Sequence, residues 1–115
     1  MVTDAGPDEA TASAPCLTFT TSGTTSGPKL VLHDQQTIAG HAADVARCIG
    51  LDAEDAALLG AVPFCGTFGN AAAMAAVAGG ALIVCLAQFD GAAAAALIRQ
   101  HRVTHLIGGD DLFGR

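Results

Sequence analysis

A chain of 115 residues, 51% of them hydrophobic and only 14% charged, has the length of one domain and too much apolar surface to stay disordered over most of its course. Its formal net charge is −6 and Lys29 is its only lysine, so nucleic acid and anionic lipid are excluded as main partners: little is present to neutralise phosphates in number.

Residues 1–15 are acidic and rich in Ala, Ser, Thr and Pro, with neither the positive start nor the apolar run of a signal peptide. They are expected to form a flexible leader to a folded domain over residues 16–115. Cys16, Cys48, Cys65 and Cys85 lie far apart without a C-x-x-C pair, and at least three sit in apolar segments. Reduced, buried thiols and a cytoplasmic location are the expectation.

In chain order, Cys16–Thr21 alternates Leu and Phe with Thr and reads as a strand, running into the Gly/Ser/Thr/Pro loop Ser22–Pro28. A short extended piece is expected at Leu30–Leu32. From Asp34, a candidate N-cap, Ile38, Ala42, Val45 and Ile49 recur at helical spacing up to a stop at Gly50. Ala57–Val62 reads as a short strand ended by Pro63, and Thr67–Ala78 as an Ala-rich helix closed by Gly79 and Gly80. Ala81–Leu86 is the most strand-like run. Asp90 caps an expected helix Gly91–His101, with Arg99 and Arg102 at its end where the macrodipole favours cations. Val103–Ile107 completes the series, and Asp110 is placed to cap a last helix.

Between Asp55 and Asp90 no residue is charged, so a membrane span over Gly69–Phe89 competes with a buried strand–helix–strand reading. Interruptions at Pro63, Gly66, Asn70, Gly79 and Gly80, and the lack of flanking Lys or Arg, favour the buried form and no membrane span.

Strands alternating with helices imply an α/β fold: a parallel sheet of about four strands with crossover helices. All strand C-termini would then meet at one edge, bringing together Ser22–Lys29, Pro63–Gly69, Gln88–Asp90 and Gly108–Asp111, where open α/β sheets bind ligands.

The densest chemistry lies in T-S-G-T-T-S-G-P-K, residues Thr21 to Lys29. Gly23 and Gly27 allow close backbone approach to an anion. Ser22, Thr24, Thr25 and Ser26 offer hydroxyl donors to phosphate oxygens, and Lys29 supplies a point charge. A Walker A loop fails at two defining positions, with Pro28 where Gly is needed and Leu30 where Ser or Thr would hold magnesium.

This loop resembles the signature of the AMP-forming adenylating enzymes, [ST]-S-G-[ST]-T-G-x-P-K-G, the superfamily of acyl-CoA synthetases, peptide-synthetase adenylation domains and luciferases. Ser22, Gly23, Thr24, Thr25, Pro28 and Lys29 match in place, while Ser26 and Leu30 depart from it. Asp55, Leu58, Pro63 and Gly69 stand where that family has D-x-x-L…P-x-x-H-x-x-G; Phe89-Asp90 is similar to its F-D helix start, and His101, Val103 and Thr104 to its H-x-V-T strand. The resemblance covers Leu17–Phe113 and matches one subregion of a much longer N-terminal domain, the family's adenine-, ribose- and magnesium-binding segments being expected beyond Arg115.

What the resemblance implies is an ATP- and Mg2+-dependent ligase that activates a carboxylic acid as its acyl-adenylate and transfers it to a thiol of CoA or a carrier protein. It further implies a phosphate cradle at Thr21–Gly27 with Lys29 as counter-charge. Phe64, Cys65, Gly66 and Gly69, with Gly108 and Gly109, would wall the acyl pocket. No residue is assigned as a nucleophile. Gly66 occupies the place of the family's histidine, and Asp110-Asp111 that of its prolines. The alternative is a non-catalytic, truncated α/β module that binds an anion or associates with another polypeptide, including the remainder of a split or longer ligase. His33, His41, His101 and His105 show no ligand-like spacing and read as surface or helix-end residues.

Overall fold

A computed structural model describes residues 11–21 and 27–113. They fall into two compact units, Met1–Ile38 and Ala39–Arg115.

The first unit is built on an antiparallel pair, β1 (Pro15–Thr21) with β2 (Lys29–Asp34). Leu17 pairs with His33, Phe19 with Val31 and Thr21 with Lys29, and the register is irregular between Pro15 and Leu17. The rings of Phe19 and His33 meet edge to face at 5.7 Å. This corrects the expectation that the strand before the Ser/Thr loop belongs to the parallel sheet. Residues 22–28 are too few for a crossover, which takes a dozen or more, so the chain returns alongside itself.

At the end of β2, Asp34 caps α1 (Gln35–Ile49), its Oδ1 accepting the Thr37 N–H at 2.7 Å. Hydrogen bonds from Thr37, with His33 adjacent, hold the Asp34 carboxyl below the usual carboxylate range.

The second unit is a parallel sheet in the order β4 (Leu82–Cys85), β3 (Ala57–Gly60), β5 (His105–Leu106). The crossovers are α2 (Thr67–Gly79) and α3 (Gly91–His101), and α4 (Asp110–Phe113) follows β5. Strand alternation divides the core. Leu58 joins Ala46 of α1 and Ala72, Ala75 and Ala76 of α2 on one face, while Leu59 and Val84 meet Ala94 of α3 on the other. The fold is therefore α/β with three parallel strands, all shorter than their apolar runs suggested. In α1 the buried residues are Ala42 and Ala46, and Ile49 at the end of the expected stripe is 39% exposed.

Two glycines explain the close packing of α2. A Cβ on Gly69 would lie 2.2 Å from the Pro63 carbonyl oxygen, and one on Gly79 2.4 Å from that of Leu51. Gly80, at φ 76°, ends the helix, and the Ala81 N–H reaches back to the Ala76 carbonyl. The Asp90 side chain caps α3 through the Ala93 N–H at 2.7 Å, as its position before Gly91 predicts.

Among the described residues no helix is long and apolar enough to cross a membrane. The expectation of buried thiols is overturned: Cys16, Cys48, Cys65 and Cys85 are free and exposed. Cys16 lies at the irregular end of the hairpin, Cys48 on the outer side of α1, Cys65 in the turn before α2, and Cys85 at the tip of an edge strand. An apolar segment does not bury each of its members when the elements are this short.

Candidate functional site

The strands flanking the hydroxyl-rich loop determine what can be said of its ends. Thr21 closes β1 and Lys29 opens β2, and the two are partners in the last rung of the ladder. That rung brings both ends of the loop together and leaves Lys29 exposed to solvent. Gly27 stands at φ 85°, a left-handed backbone that residues with a side chain rarely adopt. Ser22, Gly23, Thr24, Thr25 and Ser26 lie outside the described residues.

At the C-terminal edge of the parallel sheet there is a cleft of about 370 Å³. Val62 and Pro63 after β3, Gln88 and Phe89 after β4, and Gly109 and Leu112 after β5 contribute to its lining, which contains no charged side chain. Three of the four segments expected at this edge thus meet there, because parallel strands all deliver their chains to one side.

Of the expected pocket residues, Gly109 lines the cleft and the others do not. Phe64 lays its ring over the end of β3, where a Cβ on Gly60 would come within 2.7 Å of it. Cys65 is exposed, and Gly66 precedes α2 as its N-cap without a side-chain bond. Gly69 is buried against Pro63, and Gly108 is covered by the Leu112 side chain. Sequence reasoning placed Gln88–Asp90 at this edge but did not place Val62 and Leu112 there. The signal for all three was position: each follows a strand by a few residues. Among the described residues no three His, Cys, Asp or Glu side chains gather to hold a metal ion.

The family model of the AMP-binding enzymes matches residues 2–113. The chain belongs to this family. Its structural neighbours include o-succinylbenzoate CoA synthetase from Bacillus subtilis in complex with an acyl-adenylate intermediate, at 27% identity and a TM-score of 0.74 over 91% of this chain and 27% of that one. The same B. subtilis enzyme with ATP and a magnesium ion aligns at 27% identity, TM-score 0.73, over 91% of this chain and 22% of the other. The luciferase-like enzyme of the nonluminescent Zophobas morio mealworm shares the fold at 17% identity, with a TM-score of 0.77 over 94% of this chain and 25% of that chain. This AMP-binding chain thus spans about a quarter of the length of the solved structures it matches. No functionally curated protein matches it in sequence.

Proposed function

We propose that the chain supplies the polyphosphate cradle and part of the acyl pocket of an AMP-forming acid–thiol ligase. The observation that carries the reading is the Thr21–Lys29 rung, which closes a hydroxyl- and glycine-rich loop beside the only lysine, in a chain of the AMP-binding family.

In this reading a substrate carboxylate oxygen attacks the α-phosphorus of ATP and the bond to the β-phosphate breaks. Pyrophosphate leaves, and an acyl-adenylate remains. A thiol of CoA or of a carrier protein then attacks the acyl carbon, with AMP leaving. The chain's own residues position and neutralise. Ser22, Thr24, Thr25 and Ser26 donate to β- and γ-phosphate oxygens, Gly23 and Gly27 let backbone amides approach, and Lys29 offsets developing charge on pyrophosphate. The phosphates would carry magnesium with them, which would supply further charge screening to the same oxygens. The uncharged lining of the cleft suits the acyl portion of the acid, and with long-chain acids as substrates the ligase would serve fatty acid metabolism. Unpaired thiols suit a reducing compartment, so the reading includes a cytoplasmic location.

Gly66, standing where the resemblance expects histidine, favours a second reading in which the chain binds the anion without activating an acid. Carboxylate-dependent ATP–pyrophosphate exchange by the full chain, over aromatic, short-chain and long-chain acids, separates the two. Exchange with any acid supports the ligase. Pyrophosphate or ATP binding without exchange, also when the remaining family segments are supplied as a second polypeptide, supports the non-catalytic module, and neither binding nor exchange overturns both.

A further inference from the structure

β5 is held by side chains more than by its own ladder. It pairs with β3 only through His105 and Leu106, which face Leu58 and Leu59. Just before it, the Thr104 N–H donates to the Ala57 carbonyl at 2.9 Å, and the Ala57 N–H donates to Thr104 Oγ1, also at 2.9 Å. The hydroxyl thus takes the place of a backbone acceptor and extends the strand pairing by one rung.

His105 carries the connection to a third element. Its Nε2 lies 2.7 Å from the carbonyl oxygen of Ile49, the last residue of α1, and its Nδ1 lies 2.7 Å from Thr104 Oγ1. A carbonyl only accepts, so Nε2 bears the hydrogen of that bond, while Thr104 Oγ1, bonded at Nδ1, also lies 3.2 Å from the Ala57 carbonyl oxygen. A relay results, running from the Ala57 N–H through Thr104 and the imidazole to a helix-end carbonyl that has no partner within α1.

Three residues beyond Leu106 the chain reaches the cleft. Leu112 packs onto Gly108, where a Cβ would lie 2.2 Å from Leu112 Cδ2, and both Gly109 and Leu112 line the cleft. The wall follows directly from this two-residue ladder, and Val103, Leu106 and Ile107 also pack into the core.

We propose that Thr104 and His105 are positioning residues for the acyl pocket: their relay sets where the wall of Gly109 and Leu112 stands, and with it the room left for the acyl group. The proposal rests on the ligase reading only for the identity of the pocket.

The test uses the full chain with Thr104→Val, which keeps the shape and loses the hydroxyl, and Thr104→Ser, which keeps the hydroxyl. In amide NMR spectra the Val variant shifts the Gly108, Gly109 and Leu112 signals and speeds Ala57 amide exchange about fivefold, the loss expected for one ordinary hydrogen bond, while α3 is unchanged. The Ser variant restores the wild-type pattern. Unmoved Gly109 and Leu112 signals, or changes of equal size in α3, overturn the proposal. If the Val variant does not fold, the wild-type ring decides: at about pH 8, above the ordinary histidine range, nitrogen NMR shows hydrogen on Nε2, and hydrogen on Nδ1 overturns the relay. Where the wild type exchanges pyrophosphate, Thr104→Val raises KM for the acid about fivefold while kcat and KM for ATP hold, and an unchanged acid KM refutes the role. A wild type without exchange counts against the ligase reading alone, since the NMR measurements stand independently of it.

Discussion

Thr21 and Lys29 are register partners in the last rung of the β1–β2 ladder. The pairing holds the Lys29 backbone beside the start of the hydroxyl-rich segment, where the proposed function places its ammonium against phosphate. Replacing Lys29 by Met removes a charge-assisted contact of about 1.5–3 kcal/mol, so inorganic pyrophosphate or ATP should bind roughly 10- to 100-fold more weakly by calorimetry. Binding unchanged within twofold would remove Lys29 from the site.

Asp34 accepts the Thr37 N–H, and its carboxyl titrates below the usual range because Thr37 hydrogen bonds stabilise the anion, with His33 assisting. A carboxyl depressed in the folded state stabilises that state above its unfolded pKa, and the contribution is lost as pH falls through the folded pKa. The Thr37 amide shift should therefore titrate at a pH below about 3.9, and the transition should vanish in Asp34→Asn. An inflection above the ordinary carboxylate value contradicts the cap.

Gly69 leaves no space for a methyl group, because the atom it would meet is the backbone oxygen of Pro63. Gly69→Ala should destabilise the protein by about 1–3 kcal/mol through forced movement of the turn against α2. Gly80→Ala, in open space but at φ 76°, should cost about 1 kcal/mol from backbone strain alone. Denaturant midpoints distinguish these, and an unaffected Gly69→Ala would mean that the Pro63 turn is not packed as described.

All four thiols are exposed. Native protein should react fully with a polar thiol reagent without denaturant, and intact mass should show four adducts before any loss of helical signal. A thiol that reacts only on unfolding would restore the buried reading for that cysteine.

Local signals were legible wherever the chemistry of a turn is local. Asp34 and Asp90 could be read as caps from the helical patterns that follow them, and both make the expected bond three residues on. The family signature was legible because glycines, hydroxyls and one lysine fell within nine consecutive positions of the sequence, Thr21 to Lys29. The partner of β1 was misread because an alternating apolar strand looks the same in either sheet, and only the shortness of the 22–28 connection decides against a crossover. His105 read as an ordinary surface or helix-end histidine because Ile49, its partner, is distant in the chain.

From its order of residues alone this protein had its α/β class, its capped helices and its family signature, because propensity, capping and motif spacing act over a few positions. Tertiary structure decided which residues meet at the sheet edge: Gly109 joins Pro63 and Phe89 at one cleft, whose lining does not include Cys65 or Gly69. It also decided that a threonine and a histidine anchor a two-residue strand. Those outcomes depend on contacts between segments far apart in sequence, and such contacts are chosen by the packing of whole elements against one another.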